Sequence, residues 1–214
     1  MRTIRRLQIN RGATMKKTLL LLVLVLSIGA AAQQQLQRTD ANNRTILHWV
    51  EPDAGADYYS WVYYSPLATS FTAPFDCRLV GYRVYWNAAA VGDDDGEIPF
   101  QALLYADDDG RPTGGTLLSR YTSIPAETGW HEVSLADDGV SLEAGEVFHP
   151  AWVYGEYDER QELVDPGAGT GLTLINYPGS GACWYTDDPQ GSASWENSDH
   201  NYCHLVEAII EPAD

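Results

Sequence analysis

Beyond position 17 this chain of 214 residues contains no lysine, while all 30 of its Asp and Glu residues lie after Gln33. Such a surface repels nucleic acid and anionic lipid, which excludes a nucleic-acid-binding role. Long apolar runs are missing as well. The run Leu19–Ile28 is too short to cross a bilayer, which takes about 20 residues. No cysteine follows that run, which argues against a lipoprotein anchor. Helical periodicity of useful length is absent, and Gly and Pro recur at strand-like intervals. An α-helical fold is therefore excluded.

What is present begins with a leader. Met15-Lys-Lys, the apolar run and Gly29-Ala30-Ala31-Ala32 have the order of a secretory signal peptide. The expectation is a signal peptide over residues 1–32, with Met15 as a second candidate start and cleavage before Gln33. The mature protein is then secreted, periplasmic or held at the cell surface, with no membrane span. Losing Arg2, Arg5, Arg6, Arg11, Lys16 and Lys17 moves the formal charge from −17 by six, to −23. High-salt adaptation and attraction of cations both account for that charge.

Residues 33–44 are polar, Gln/Asn-rich and aperiodic, and read as a flexible linker. Residues 45–214 are long enough for one domain with a real core. Strands are expected at 45–51, 57–65, 68–72, 77–87, 99–105, 116–122, 130–135 and 146–154. Others follow at 161–164, 171–177, 182–186 and 205–211. Val80, Tyr82, Val84 and Trp86 fall on one face of their strand, and Val206, Ala208 and Ile210 on one face of the last. Short, regularly spaced strands imply an all-β antiparallel sandwich or jelly roll. The corner Tyr105–Leu118 joins two of them. It carries Asp107, Asp108 and Asp109, then Gly110 and Pro112, the residue types that turn a chain.

Three stretches carry a resemblance. They are Asp109-Gly110-x-Pro112-x-Gly114-x-x-Leu117-Leu118, Gly129-Trp130-x-Glu132-Val133-x-Leu135 and Leu142-x-Ala144-Gly145-Glu146-x-Phe148. Their succession resembles the jelly-roll β-sandwich modules of bacterial secreted and surface proteins, including those that bind carbohydrate. The resemblance implies a non-catalytic module that binds glycan or a cell-envelope component, or that contacts other surface proteins.

Candidate site residues follow from their chemistry. Trp184, Tyr185, Trp195 and Tyr202 cluster late in the chain, and aromatic faces stack on sugar rings. Tyr59, Trp61 and Tyr63 share one strand face and read as core. With antiparallel strands, Asp107, Asp109 and Asp187 fall at one end of the sandwich, where oxygen-rich turns bind calcium. The segment Asp199–His204 holds part of a zinc ligand set. In an oxidising compartment two of the three cysteines are expected to pair. Cys183 with Cys203 is the favoured bridge, and Cys77 with either is the alternative. Neither Pro178-Gly-Ser180-Gly-Ala nor Gly191-Ser-Ala-Ser194-Trp matches a nucleophile elbow, and no sequence context pairs a histidine with a serine. Buried Trp184 and Trp195 would favour a structural or adhesion protein, and a hydrolase ranks third.

Overall fold

The computed structural model describes residues 35–49, 58–61, 66–86, 96–113, 115–154, 156–157, 163–164, 172–176, 182–186, 194–197 and 202–213. Those residues belong to one compact unit that starts at Gln35. The expected signal peptide lies outside the described residues. No described helix is long and apolar enough to cross a membrane.

Strands are numbered in chain order and form two antiparallel sheets. The main path of the first, nine-stranded sheet starts with β1 (Leu36–Thr39), β2 (Thr45–His48) and β18 (Val206–Pro212). It continues through β6 (Cys77–Trp86), β14 (Leu172–Asn176) and β17 (Tyr202–His204). β9 (Gly129–Ser134) and β10 (Val140–Leu142) also pair with β6, and β3 (Tyr58–Trp61) pairs with β14. The second, seven-stranded sheet starts with β16 (Glu196–Asn197), β15 (Cys183–Tyr185) and β4 (Leu67–Thr69). It ends with β11 (Val147–Tyr154), β7 (Glu97–Ala106) and β8 (Thr116–Pro125), and β5 (Phe71–Thr72) lies beside β11. β12 (Glu156–Tyr157) and β13 (Leu163–Val164) make a separate ribbon. The architecture is all-β, consistent with a β-sandwich.

The main core lies between the two sheets. Leu79, Tyr82, Val84, Val206, Ala208 and Ile210 of the first sheet pack with Phe71, Ala102, Leu104, Phe148 and Trp152 of the second. Each large side chain so buried contributes about 1.5–3 kcal/mol. The Tyr82 hydroxyl donates to the Ala151 carbonyl at 2.9 Å and ties one sheet to the other. The alternation expected for the last strand is observed.

On β6 the expected face is broken at one residue. The register against β18 shifts between Ile209 and Ile210, which face Gly81 and Leu79. Val80 is the extra residue of this bulge and packs instead with Ile46 and Ile209. Gly81 follows it, and a Cβ there would meet the Val133 carbonyl at 2.8 Å. Glycine is what lets β9 approach.

Residues 36–39, expected within a flexible linker, form β1 and pair with β2. Polar composition hid this strand, which is held by a hairpin to β2 and by one side-chain anchor distant in sequence. Arg38 Nη2 donates to both carboxylate oxygens of Glu207 at 2.9 Å. Glu207 is buried on β18 and also accepts from Arg83 Nε. Arg83 in turn lies 5.3 Å from the Trp130 ring centroid. Arg44 bridges Asp40 at 2.8 Å and Glu132 at 2.7 Å.

The corner after β7 turns the chain as expected over residues 107–113. Asp107 Oδ2 accepts the Gly110 N–H at 3.1 Å, and Asp109 and Gly110 take positive φ of 54° and 81°. Asp and Gly are the residue types that tolerate this backbone.

The expected disulfide is corrected. Cys77 and Cys183 are both buried thiols, and no disulfide forms among the described residues. Cys183 lies on β15 of the second sheet and Cys203 on β17 of the first. The Cys183 sulfur accepts the His204 backbone N–H at 3.1 Å. Burial, with Glu146 and Asp76 nearby, pushes the Cys77 thiol up to about 11, which keeps it protonated and unreactive.

A buried Ser–His–Asp relay as candidate functional site

The outward face of the second sheet carries a second cluster of buried side chains. Ala68, Leu103, Tyr105, Ala151 and Val153 line it, and Trp184 and Trp195 cover them. Tyr105 and Trp195 meet edge to face at 5.2 Å.

Within this layer one polar relay is built from four segments. Pro150 starts it. The β11 register sets Ala151 against Ala68 and Phe148 against Phe71, so Pro150 comes opposite Thr69. Having no N–H, Pro150 interrupts the ladder there and separates β4 from β5 at Ser70. The Ser70 N–H donates to the Ala182 carbonyl at 2.8 Å, and its carbonyl accepts from Trp49 Nε1 at 2.8 Å. Ser70 Oγ then lies 2.9 Å from His149 Nδ1 and accepts from Trp184 Nε1 at 2.7 Å. His149 Nε2 lies 2.9 Å from Asp107 Oδ1. That contact follows from register, since β11 sets His149 against Tyr105, two residues before Asp107.

The partners define the protonation state. A carboxylate only accepts, so Nε2 carries the proton and Nδ1 accepts from the Ser70 hydroxyl. Burial pushes the His149 pKa below its ordinary 6.5, opposed by the hydrogen bond to Asp107. The imidazole is neutral at pH 7.

These are the three groups of a nucleophilic triad, in a different arrangement. In the acyl-transfer triad serine meets Nε2 and aspartate meets Nδ1. Here the two nitrogens are exchanged. His149 is wholly buried, and Ser70 Oγ already receives the indole N–H. The backbone N–H of Ser70 is engaged by Ala182. The relay is a clamp that fixes β15 and the corner onto the sheet.

Of the expected site residues, Trp184 and Trp195 share one buried cluster with Tyr185 beside them, and Asp107 joins Trp184 through the relay. Trp184 and Trp195 are 8% and 4% exposed, which hides both faces from a sugar ring. Tyr185 is half-buried and its hydroxyl donates to Glu196 Oε2 at 2.6 Å. The side chain of Tyr202, all of Asp187 and residues 198–201 lie outside the described residues. Asp107 is held by His149 and Gly110, and Asp109 is exposed in the turn. Among the described residues no three His, Cys, Asp or Glu side chains are grouped to hold a metal ion. His204, from the candidate zinc segment, lies 3.2 Å from Thr69 Oγ1 and stacks edge-on to Trp152.

Sequence reasoning missed the relay because its members are 79, 42 and 114 positions apart. The one local signal was a histidine inside the apolar strand Val147–Tyr154, where it needs buried partners. No protein-family model matches the chain, and no curated protein matches it significantly.

Proposed function

We propose that this chain is an exported, non-catalytic module of jelly-roll type that contacts other proteins through its β7–β8 edge. One observation supports this reading above the others. Leu117 and Tyr121 on β8 are 53% and 60% exposed, while Trp184 and Trp195 are packed away. Aromatic and aliphatic side chains open to water on one strand suit a protein contact. A glycan site built on Trp184 and Trp195 would need their faces open, and a serine hydrolase built on Ser70 would need a hydroxyl that substrate can reach.

The test uses residues 33–214 with a photoreactive amino acid in place of Tyr121, beside a retention assay on polysaccharides and cell-wall preparations. Protein adducts at position 121, with no polymer retention in calcium or chelator, are expected. Retention on one polymer without protein adducts would overturn the reading in favour of glycan binding.

A further inference from the structure

We infer that Asn43 is an N-glycosylation site, its carboxamide taking an oligosaccharide from a polyprenyl-phosphate donor during export. The inference rests on the exported part of the reading above and is independent of the partner that the module meets. Asn-x-Ser/Thr, with x other than proline, is the acceptor sequence for this chemistry and belongs to a surface turn of an exported chain. Of the seven asparagines in the sequence, only Asn43 has a hydroxyl residue two positions on, in Asn43-Arg44-Thr45.

The fold sets this triplet where a sugar can be carried. Asn43 is exposed in the turn that joins β1 to β2, and Thr45 opens β2. The turn is built from its own residues. Asp40 N–H donates to the Arg44 carbonyl at 3.0 Å, and Asn43 N–H donates to the Asp40 carbonyl at 3.1 Å. Asp40 Oδ1 accepts the backbone N–H groups of Asn42 and Arg44 at 2.9 and 2.8 Å. Arg44, the middle residue of the triplet, is held by Asp40 and by Glu132 of β9. These bonds engage backbone, carboxylate and guanidinium groups, and none of them uses the Asn43 carboxamide.

Local structure alone does not demand this triplet. Asn43 takes a positive φ of 64°, which glycine adopts freely and asparagine tolerates. Either residue would make the turn, and only asparagine brings an acceptor nitrogen. Position 45 starts a strand, where valine would serve as well as threonine. At both positions the residue present is the one that glycosylation requires. In the transfer, Asn43 Nδ2 bonds to the anomeric carbon of the sugar. The bond from that carbon to the donor's phosphate oxygen breaks, and the phosphate leaves with the electron pair. One Nδ2 proton passes to a base of the transferase, and nothing is oxidised or reduced. The product is a secondary amide on a turn whose hydrogen bonds are all retained.

The test uses the full chain expressed in the cell that encodes it and purified from medium or envelope. Mass spectrometry is run on the intact protein and on the peptides that contain Asn43. The parent is expected to exceed the mass of its polypeptide by whole sugar residues carried on Asn43. Two variants keep the fold and remove the site in different ways. Asn43→Gly suits the positive φ and lacks the acceptor nitrogen. Thr45→Val keeps the branched shape and the acceptor but lacks the hydroxyl. Both should lose the added mass with an unchanged circular dichroism spectrum, while Thr45→Ser should keep it. An exported parent at the mass of its polypeptide overturns the inference and leaves the exported reading standing. Added mass that persists in Thr45→Val, or that sits on another residue, overturns it in the same way. A chain that stays inside the cell with residues 1–32 attached overturns the exported reading and the inference together.

Discussion

The outward faces of the two sheets solve the same problem with opposite chemistry. On the first sheet Glu207 is buried between Arg38 and Arg83, and Arg83 packs on Trp130. On the second, Trp184 and Trp195 cover an apolar layer whose polar groups form a neutral relay through Ser70 and His149. The charged face keeps two arginines partly in water, so part of its attraction is screened by salt. The apolar face draws its stability from area removed from water, which salt does not weaken. The chain places much of its scarce positive charge on one face and its late tryptophans on the other.

Three substitutions separate these contributions. Trp184→Ala removes a large buried side chain and the indole donor to Ser70. Chemical denaturation should show a loss of about 4 kcal/mol, undiminished in molar salt. Glu207→Ala leaves Arg38 and Arg83 without their shared carboxylate. The expected loss is about 3 kcal/mol, shrinking in molar salt as the remaining charges are screened. Equal salt responses for the two variants would break the comparison.

The smallest effect concerns pH. The His149 pKa is lowered in the folded state, so below its ordinary 6.5 the unfolded chain binds the proton more readily. Its contribution to stability is therefore constant above 6.5 and is lost as pH falls through 6.5 toward the folded value. The slope from this one group is at most about 1.4 kcal/mol per pH unit. His149→Gln keeps a donor and an acceptor, and should cost about 1 kcal/mol at pH 7 while removing this part of the acid sensitivity. A variant whose denaturation midpoint falls with acid as steeply as the parent's would place that sensitivity elsewhere.

Local pattern carried much of the fold. The alternation of Val206, Ala208 and Ile210 named the inward face of β18, and the residue types of Asp107–Gly110 named the corner. Both are short-range properties of backbone and side chain, readable without any partner. Alternation failed at Val80, where one extra residue exchanges inside for outside. It was silent at Leu36–Thr39, whose Arg38 is anchored 169 positions away at Glu207.

Sequence by itself determined the β architecture, the hairpin corner and the acidity, because period-two patterning, turn chemistry and charge act over a few residues. Tertiary structure alone decided that Ser70, His149 and Asp107 meet, that Trp184 and Trp195 are buried, and that Cys183 lies on a different sheet from Cys203. Those outcomes depend on strand order and register. Both are set by the packing of distant segments, where one bulge or one proline changes which side chains face each other.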